Sequence, residues 1–128
     1  MLSPEVARLV EDVNIAHIAT VLPDGAPHAV PVWMDREGDR IAVLTSPGSR
    51  KARNLARDPR VALSIVDKET PYVAAYVRGR VVGTVDGDAG WAIIDRIARK
   101  YTGERYPLRE DRVVLLIEAE SAQAVTFG

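Results

Sequence analysis

The chain contains no cysteine. That absence excludes disulfide staples, thiolate metal sites and a cysteine nucleophile together, and it suits a reducing compartment. Histidine is nearly as scarce, with only His17 and His28, too few for a histidine-rich metal centre, so no metal site is expected. Neither sign of charge dominates. Lys and Arg number 17 against 18 Asp and Glu, a formal net charge of -1, which leaves no global attraction to nucleic acid or an anionic membrane. No apolar run approaches the ~18 residues that suggest a membrane-spanning helix. Met1-Leu2-Ser3-Pro4-Glu5 lacks the basic and apolar regions of a signal peptide. A cytoplasmic protein is expected, with neither nucleic acid nor membrane as partner.

What is present fits one domain over residues 1–128, since a chain 47% hydrophobic and of this length builds one core. Ser3 as N-cap, Pro4 at the first helical position and Glu5 behind it start a helix with Val6, Leu9 and Val10 on one face. Residues 14–22, apolar on both faces, read as a strand buried on both sides. Pro23-Asp24-Gly25 is a turn. Residues 27–35 alternate, with His28, Val30, Val32 and Met34 on one face, and Glu37-Gly38-Asp39 turns them into a strand over 40–46. Two successive hairpins predict an antiparallel meander. Pro31 has no N–H, so its strand belongs at an edge or a bulge. A helix over 49–57 stops before Pro59. Strands follow over 61–66 and 72–85. Asp86 and Asp88 cap a third helix over 89–101, with Trp91, Ile94 and Ala98 at core spacing. A last strand covers 113–127 with an interruption at 118–121. The reading is mainly β with short helices, an antiparallel six-stranded barrel.

Chemistry concentrates in Thr45-Ser46-Pro47-Gly48-Ser49-Arg50-Lys51-Ala52-Arg53-Asn54. A helix N-terminus carries unpaired N–H groups and partial positive charge, which attract anions and repel cations. Yet Arg50, Lys51 and Arg53 fill this first turn with no acid beside them. The other two helices obey the dipole, with Glu5 at one start and Asp86 and Asp88 at the other. Each misplaced cation costs about 0.3–1 kcal/mol at an exposed site, and a bound phosphate reverses the sign. Arg50 offers a bidentate fork, Lys51 a point charge, and Ser46 and Ser49 hydroxyl donors. Ala52, Leu55 and Ala56 form the expected buried stripe. The competing reading is a solvated basic face paired with acids such as Asp58 or Glu69, and residue chemistry leaves both open.

Residues 45–61, which end in Leu55-Ala56-Arg57-Asp58-Pro59-Arg60-Val61, resemble a segment shared by the pyridoxamine 5'-phosphate oxidase-like split β-barrel superfamily. Ile18-Ala19-Thr20-Val21 with Pro23-Asp24-Gly25-Ala26-Pro27-His28 is similar to that family's first hairpin, and Pro31-Val32-Trp33 to its second strand. Gly79-Arg80-Val81 resembles its long central strand, and Arg99-Lys100-Tyr101-Thr102-Gly103 its last helix. Within the superfamily the chain looks like the reductases that use the deazaflavin coenzyme F420. The resemblance implies an oxidoreductase passing a hydride to or from a small unsaturated organic substrate, in a homodimer with coenzyme sites at the subunit interface. It also implies that Arg50 and Lys51 hold the coenzyme phosphate, with Thr45, Ser46, Ser49 and Asn54 nearby. Pro31, Val32 and Trp33 would line the ring. FMN is the alternative coenzyme, in a pyridoxamine-phosphate-oxidase-like flavoprotein. A non-enzymatic flavin- or haem-binding module is the alternative function. True pyridoxamine-phosphate oxidases carry a C-terminal arginine-containing segment; the sequence stops at Ala124-Val125-Thr126-Phe127-Gly128, and the smaller reductase branch is expected.

Other residues carry two readings each. His28 is a proton donor or coenzyme contact, or else a hydrogen-bonded structural residue; His17 reads as structural. Trp33 stacks on a planar ring or packs in the barrel. Tyr101 and Arg105 are candidates to close the site from a loop. Arg78 and Arg80 face outward. No carboxylate pair, nucleophile elbow or phosphate-binding glycine loop is present, and the sequence identifies no catalytic residue.

Overall fold

The structure, a computed structural model, describes residues 2–127. Helix α1 (Pro4–Glu11) starts where its capping residues predict, with the Ser3 hydroxyl accepting the Val6 N–H at 3.3 Å. Seven strands follow in one sheet: β1 (Ala16–Val21), β2 (Pro27–Val32), β3 (Met34–Glu37), β4 (Arg40–Thr45), β5 (Arg60–Val66), β6 (Val73–Val85) and β7 (Val113–Thr126). Their order is β2-β1-β5-β6-β7-β4-β3, and every pairing is antiparallel.

That order explains the barrel. Strands β2 and β3 are separated only by Trp33 in the chain, yet they occupy opposite edges of the sheet. One residue spans at most ~3.6 Å, so the two edges must come together and the sheet must curl into a split barrel. Six strands in a meander were expected because residues 27–35 read as one strand; the corner at Trp33 divides them into two. The hairpins β1–β2 and β3–β4 are therefore not neighbours in a meander. Pro31 does lie on an edge strand, the place in a sheet where a residue without an N–H is tolerated.

Leu2, Val6, Leu9 and Val10 of the N-terminal region share one buried core with Ile18, Met34, Ile41, Ile65 and Ile117 of the barrel. Each such side chain contributes roughly 1.5–3 kcal/mol by burial. Strand β1 departs from expectation. Ala16, Ile18 and Thr20 are buried, but His17 is exposed and Ala19 and Val21 are half-buried, because nothing within the single chain covers the sheet's outer face there.

The interruption expected at 118–121 is a β-bulge rather than a break. Ser121 pairs with Arg78 and Ala119 with Gly79, which leaves Glu120 as the extra residue. Helix α3 (Gly87–Thr102) begins after Asp86, whose side chain makes no capping hydrogen bond, and ends at Gly103 with φ +83°. Its Ile94 and Ile97 pack with Ala42 and Val114 in a second cluster. Residues 103–112 then cross back to the start of β7. Among the described residues, no helix is long and apolar enough to cross a membrane.

Candidate functional site

Two strands and a helix start build the site. β4 ends at Thr45, directly opposite Val113, the first residue of β7. The chain leaves β4 through Ser46, Pro47 and Gly48, and Ser49 caps helix α2 (Arg50–Arg57) by accepting the Ala52 N–H at 3.2 Å. The Thr45 and Ser49 hydroxyls share a hydrogen bond of 2.8 Å. The Thr45–Val113 pairing also delivers Arg112, one residue before β7, to the same corner. Thr45, Ser46, Ser49, Lys51, Tyr106 and Arg112 line a polar cleft of about 260 Å³. An apolar groove of about 480 Å³ adjoins it, walled by Ile15, Pro31, Val32 and Trp33. Leu44, Lys51 and Tyr106 belong to both.

The start of α2 beside the cleft is rich in cations, and no acid lines the cleft. Among the described residues, Arg50, Lys51, Arg53 and Arg57 make no ion pair with a carboxylate. Asp58, the nearest acid in sequence, turns to Arg60 at 2.7 Å. Hydrogen bonds from the Arg60 side chain and backbone hold its carboxyl at about 2. Glu69 sits beyond the other end of β5, its N–H on Asp67. Among the described residues the acid pairing of the competing reading is therefore absent, while Arg50, Arg53 and Arg57 are exposed to solvent. Burial pushes the Lys51 ammonium below its ordinary pKa, and the Arg112 charge adds to the effect.

A bound anion would reverse that shift, because an opposite charge favours the ammonium form. Between the free and bound pKa values of Lys51, binding takes up a proton. Affinity for a phosphate-bearing ligand is therefore expected to fall as pH rises through the lowered Lys51 pKa, earlier than for an unperturbed lysine. Calorimetric titrations in alkaline buffers of different ionisation enthalpy measure that uptake; its absence in the wild type would place the anion away from Lys51.

Thr45, Ser46, Ser49 and Lys51 meet in the cleft, and Pro31, Val32 and Trp33 in the groove. Arg50 is exposed on the first turn of α2 and lines neither. Asn54 is fully buried and donates to the Thr20 hydroxyl at 3.0 Å. It takes the inward position expected for Ala56, which is exposed. Asn54→Ala is expected to leave that hydroxyl without its partner and cost about 1–3 kcal/mol, read from urea unfolding. Arg57 donates to the Val21 carbonyl and ties α2 to β1. His28 lies opposite Thr20 in β2 and lines neither cavity; its Nδ1 is buried without a hydrogen-bond partner.

The packing reading of Trp33 holds, and the residue also borders the groove. It lines the groove and stacks on Tyr101, with ring centroids 5.1 Å apart and planes 6° from parallel. Tyr101 is not a loop residue closing the site. It belongs to α3, donates to the Asn14 carbonyl at 2.5 Å and accepts the Met34 N–H at 3.4 Å, so it backs Trp33 rigidly. Arg105 lines neither cavity. The residues after α3 that do reach the site are Tyr106 and Arg112, which sequence reasoning missed. The signal for Arg112 lay in the long-range pairing of β7 with β4, which spacing alone does not reveal.

Residues 2–126 match the family described as pyridoxamine 5'-phosphate oxidase. The chain belongs to this family. Among solved structures, this family member is similar to an F420 reductase at 28% identity, with 95% of this chain and 98% of the other covered and a TM-score of 0.81. It is also similar to a conserved hypothetical protein from Mycobacterium tuberculosis, at 26% identity, 98% and 85% coverage and a TM-score of 0.83. General stress protein 26 from Bacillus anthracis shares the fold at 15% identity, 94% and 91% coverage and a TM-score of 0.74. No curated protein matches the chain. The residues present suit the phosphate-bearing planar coenzyme that the family resemblance implies. Cations without acid partners and hydroxyls would meet a phosphate, and the apolar groove beside them would meet a planar ring.

Proposed function

We propose that this family member is an oxidoreductase that holds coenzyme F420 and serves hydride transfer to or from a small unsaturated organic substrate. The observation that carries this reading is the shared boundary at Lys51. One ammonium group borders both an acid-free polar cleft and an apolar groove, the arrangement a phosphate-bearing planar coenzyme requires. Similarity to an F420 reductase supports the deazaflavin.

The bound coenzyme supplies the hydride chemistry. The chain supplies orientation and electrostatics. Lys51, Ser46, Ser49 and the start of α2 fix the phosphate, while Pro31, Val32 and Trp33 shield the ring from water. No histidine or carboxylate lines either cavity, so the reading assigns no protein base to the hydride step.

Parallel fluorescence titrations with F420, FMN and FAD test the coenzyme, followed by turnover of the reduced form with conjugated acceptors. Tightest binding of F420 with turnover supports the reading; binding without turnover favours a non-enzymatic module. FMN stays as the second reading for a specific reason. Deazaflavin carries a long anionic tail beyond its phosphate, and of Arg53 and Arg57, the extra cations that would face it, Arg57 is already engaged with the Val21 carbonyl.

The same proposal includes a homodimer with a coenzyme at each subunit interface. Its support is strand β1, apolar on both sides yet covered on only one, and two hollows on the outer face that share Ala19, Ala62 and Arg78. Sedimentation is expected to give twice 14.0 kDa. Ala62→Glu on that face is expected to yield monomers with weakened coenzyme binding; an unchanged dimer would move the interface elsewhere.

A further inference from the structure

We infer that the strap of residues 103–112 completes the coenzyme site, with Arg112 as a second cation on the phosphate and Tyr106 as the wall between phosphate and ring. This rests on the proposed coenzyme reading and assigns it two residues outside the α2 segment. Tyr106 lines both the cleft and the groove, so a ligand that spans them must pass it.

Arg112 is engaged only in part. Its Nε donates to the Tyr106 hydroxyl at 3.3 Å and its Nη1 to the Asp111 carbonyl at 2.8 Å. Its guanidinium lies over the Tyr106 ring, 5.5 Å from the centroid. Among the described residues it has no carboxylate partner. Arg109, three residues earlier, does have one. A guanidinium set beside Lys51 with no acid between them is unfavourable until an anion arrives, and Arg is suited to grip a phosphate through two N–H groups.

The strap is held in advance of binding. Asp95 on α3 accepts the Tyr106 N–H at 3.1 Å and grips Arg109 through contacts of 2.6 and 3.2 Å. Arg109 donates back to the Tyr106 carbonyl at 3.0 Å and lies over the Trp91 ring at 4.3 Å. Asp95 is therefore a positioning residue: it fixes the backbone that presents Tyr106, and Tyr106 supports Arg112. Ordering the strap beforehand removes an entropy cost from binding.

The test titrates FMN, F420 and riboflavin, which lacks the phosphate, against the wild type and the Arg112→Gln, Arg112→Lys, Lys51→Gln, Asp95→Asn and Asp95→Glu variants, each checked for folding by circular dichroism. Arg112→Gln is expected to weaken the phosphate-bearing coenzyme about 10- to 100-fold and riboflavin by no more than about twofold. Arg112→Lys keeps the charge and should recover most of the loss, which covers the case in which the glutamine variant misfolds. Asp95→Asn should weaken binding several-fold, with Asp95→Glu restoring part of it. If Lys51→Gln weakens binding and Arg112→Gln does not, the strap inference fails and the coenzyme reading stands. Equal losses for FMN and riboflavin would make Arg112 a structural residue and also overturn it. If the wild type binds none of the three, the coenzyme reading itself fails.

Discussion

Alanine at both Arg50 and Lys51 is expected to weaken the preferred coenzyme by about 3 kcal/mol or more, roughly a hundredfold, because charged hydrogen bonds contribute about 1.5–3 kcal/mol each. The two residues should not share the loss equally. Lys51 borders the cleft and the groove, whereas Arg50 is exposed and lines neither. Lys51→Ala should therefore carry most of the effect, and Arg50→Ala a smaller part through the general field at the helix start. The fold should survive, since neither side chain pairs with an acid among the described residues. It should even gain slightly. Each cation removed from the first turn relieves about 0.3–1 kcal/mol of repulsion from the dipole, and alanine is the best helix former. Coenzyme titration together with urea unfolding measures both halves. A double variant that binds normally would separate this corner from the coenzyme.

What could be read from the chain was mostly local. Ser3 and Pro4 announce α1, Pro31 announces an edge strand, and the inverted charge pattern of α2 marks the cation-rich corner without any knowledge of the fold. What stayed hidden depends on contacts distant in sequence. Trp33 divides one apparent strand into two because the sheet must close there, and closure is a property of the whole topology. Asn54 lies inside because α2 docks on β1 through Thr20; a helical wheel that ranks residues by polarity places Ala56 inward instead. Arg112 joins Lys51 only because β7 pairs with β4, a register set between residues far apart in the chain. Apolarity on both sides of β1 was legible, but that its outer face stays uncovered within the chain was not, since burial there depends on the whole sheet. The candidate site was thus half visible: its cation-rich corner from charge, its strap from nothing local.

Gly79→Ala is expected to destabilise the barrel by about 3 kcal/mol, the upper end of overpacking costs. A Cβ at this position would lie 2.0 Å from the Glu118 carbonyl oxygen, 2.9 Å from its carbon and 3.1 Å from the Ala119 Cα. All three are backbone atoms of the facing strand, so no side-chain rotation relieves the clash. The cause is the bulge at Glu120, which shifts the β6–β7 register between Arg78 and Gly79 and brings β7 against the glycine. Gly83→Ala, on the same strand, provides the control. An added Cβ there meets nothing within 4 Å, so the change should be near neutral, or stabilising by about 0.4–1 kcal/mol through reduced freedom of the unfolded chain. Urea midpoints at equal slope separate the two cases. The consequence reaches the site, because the β6–β7 ladder runs on to Val85 opposite Val114, beside the residue that pairs with Thr45. Relaxing the bulge by shifting β7 would displace Val113 and Arg112 together, so a folded Gly79→Ala variant should also bind the coenzyme more weakly, whereas Gly83→Ala should not. Equal stability of the two variants would mean that β7 does not press on β6 at Glu118, and the bulge would lose its role in setting the cleft.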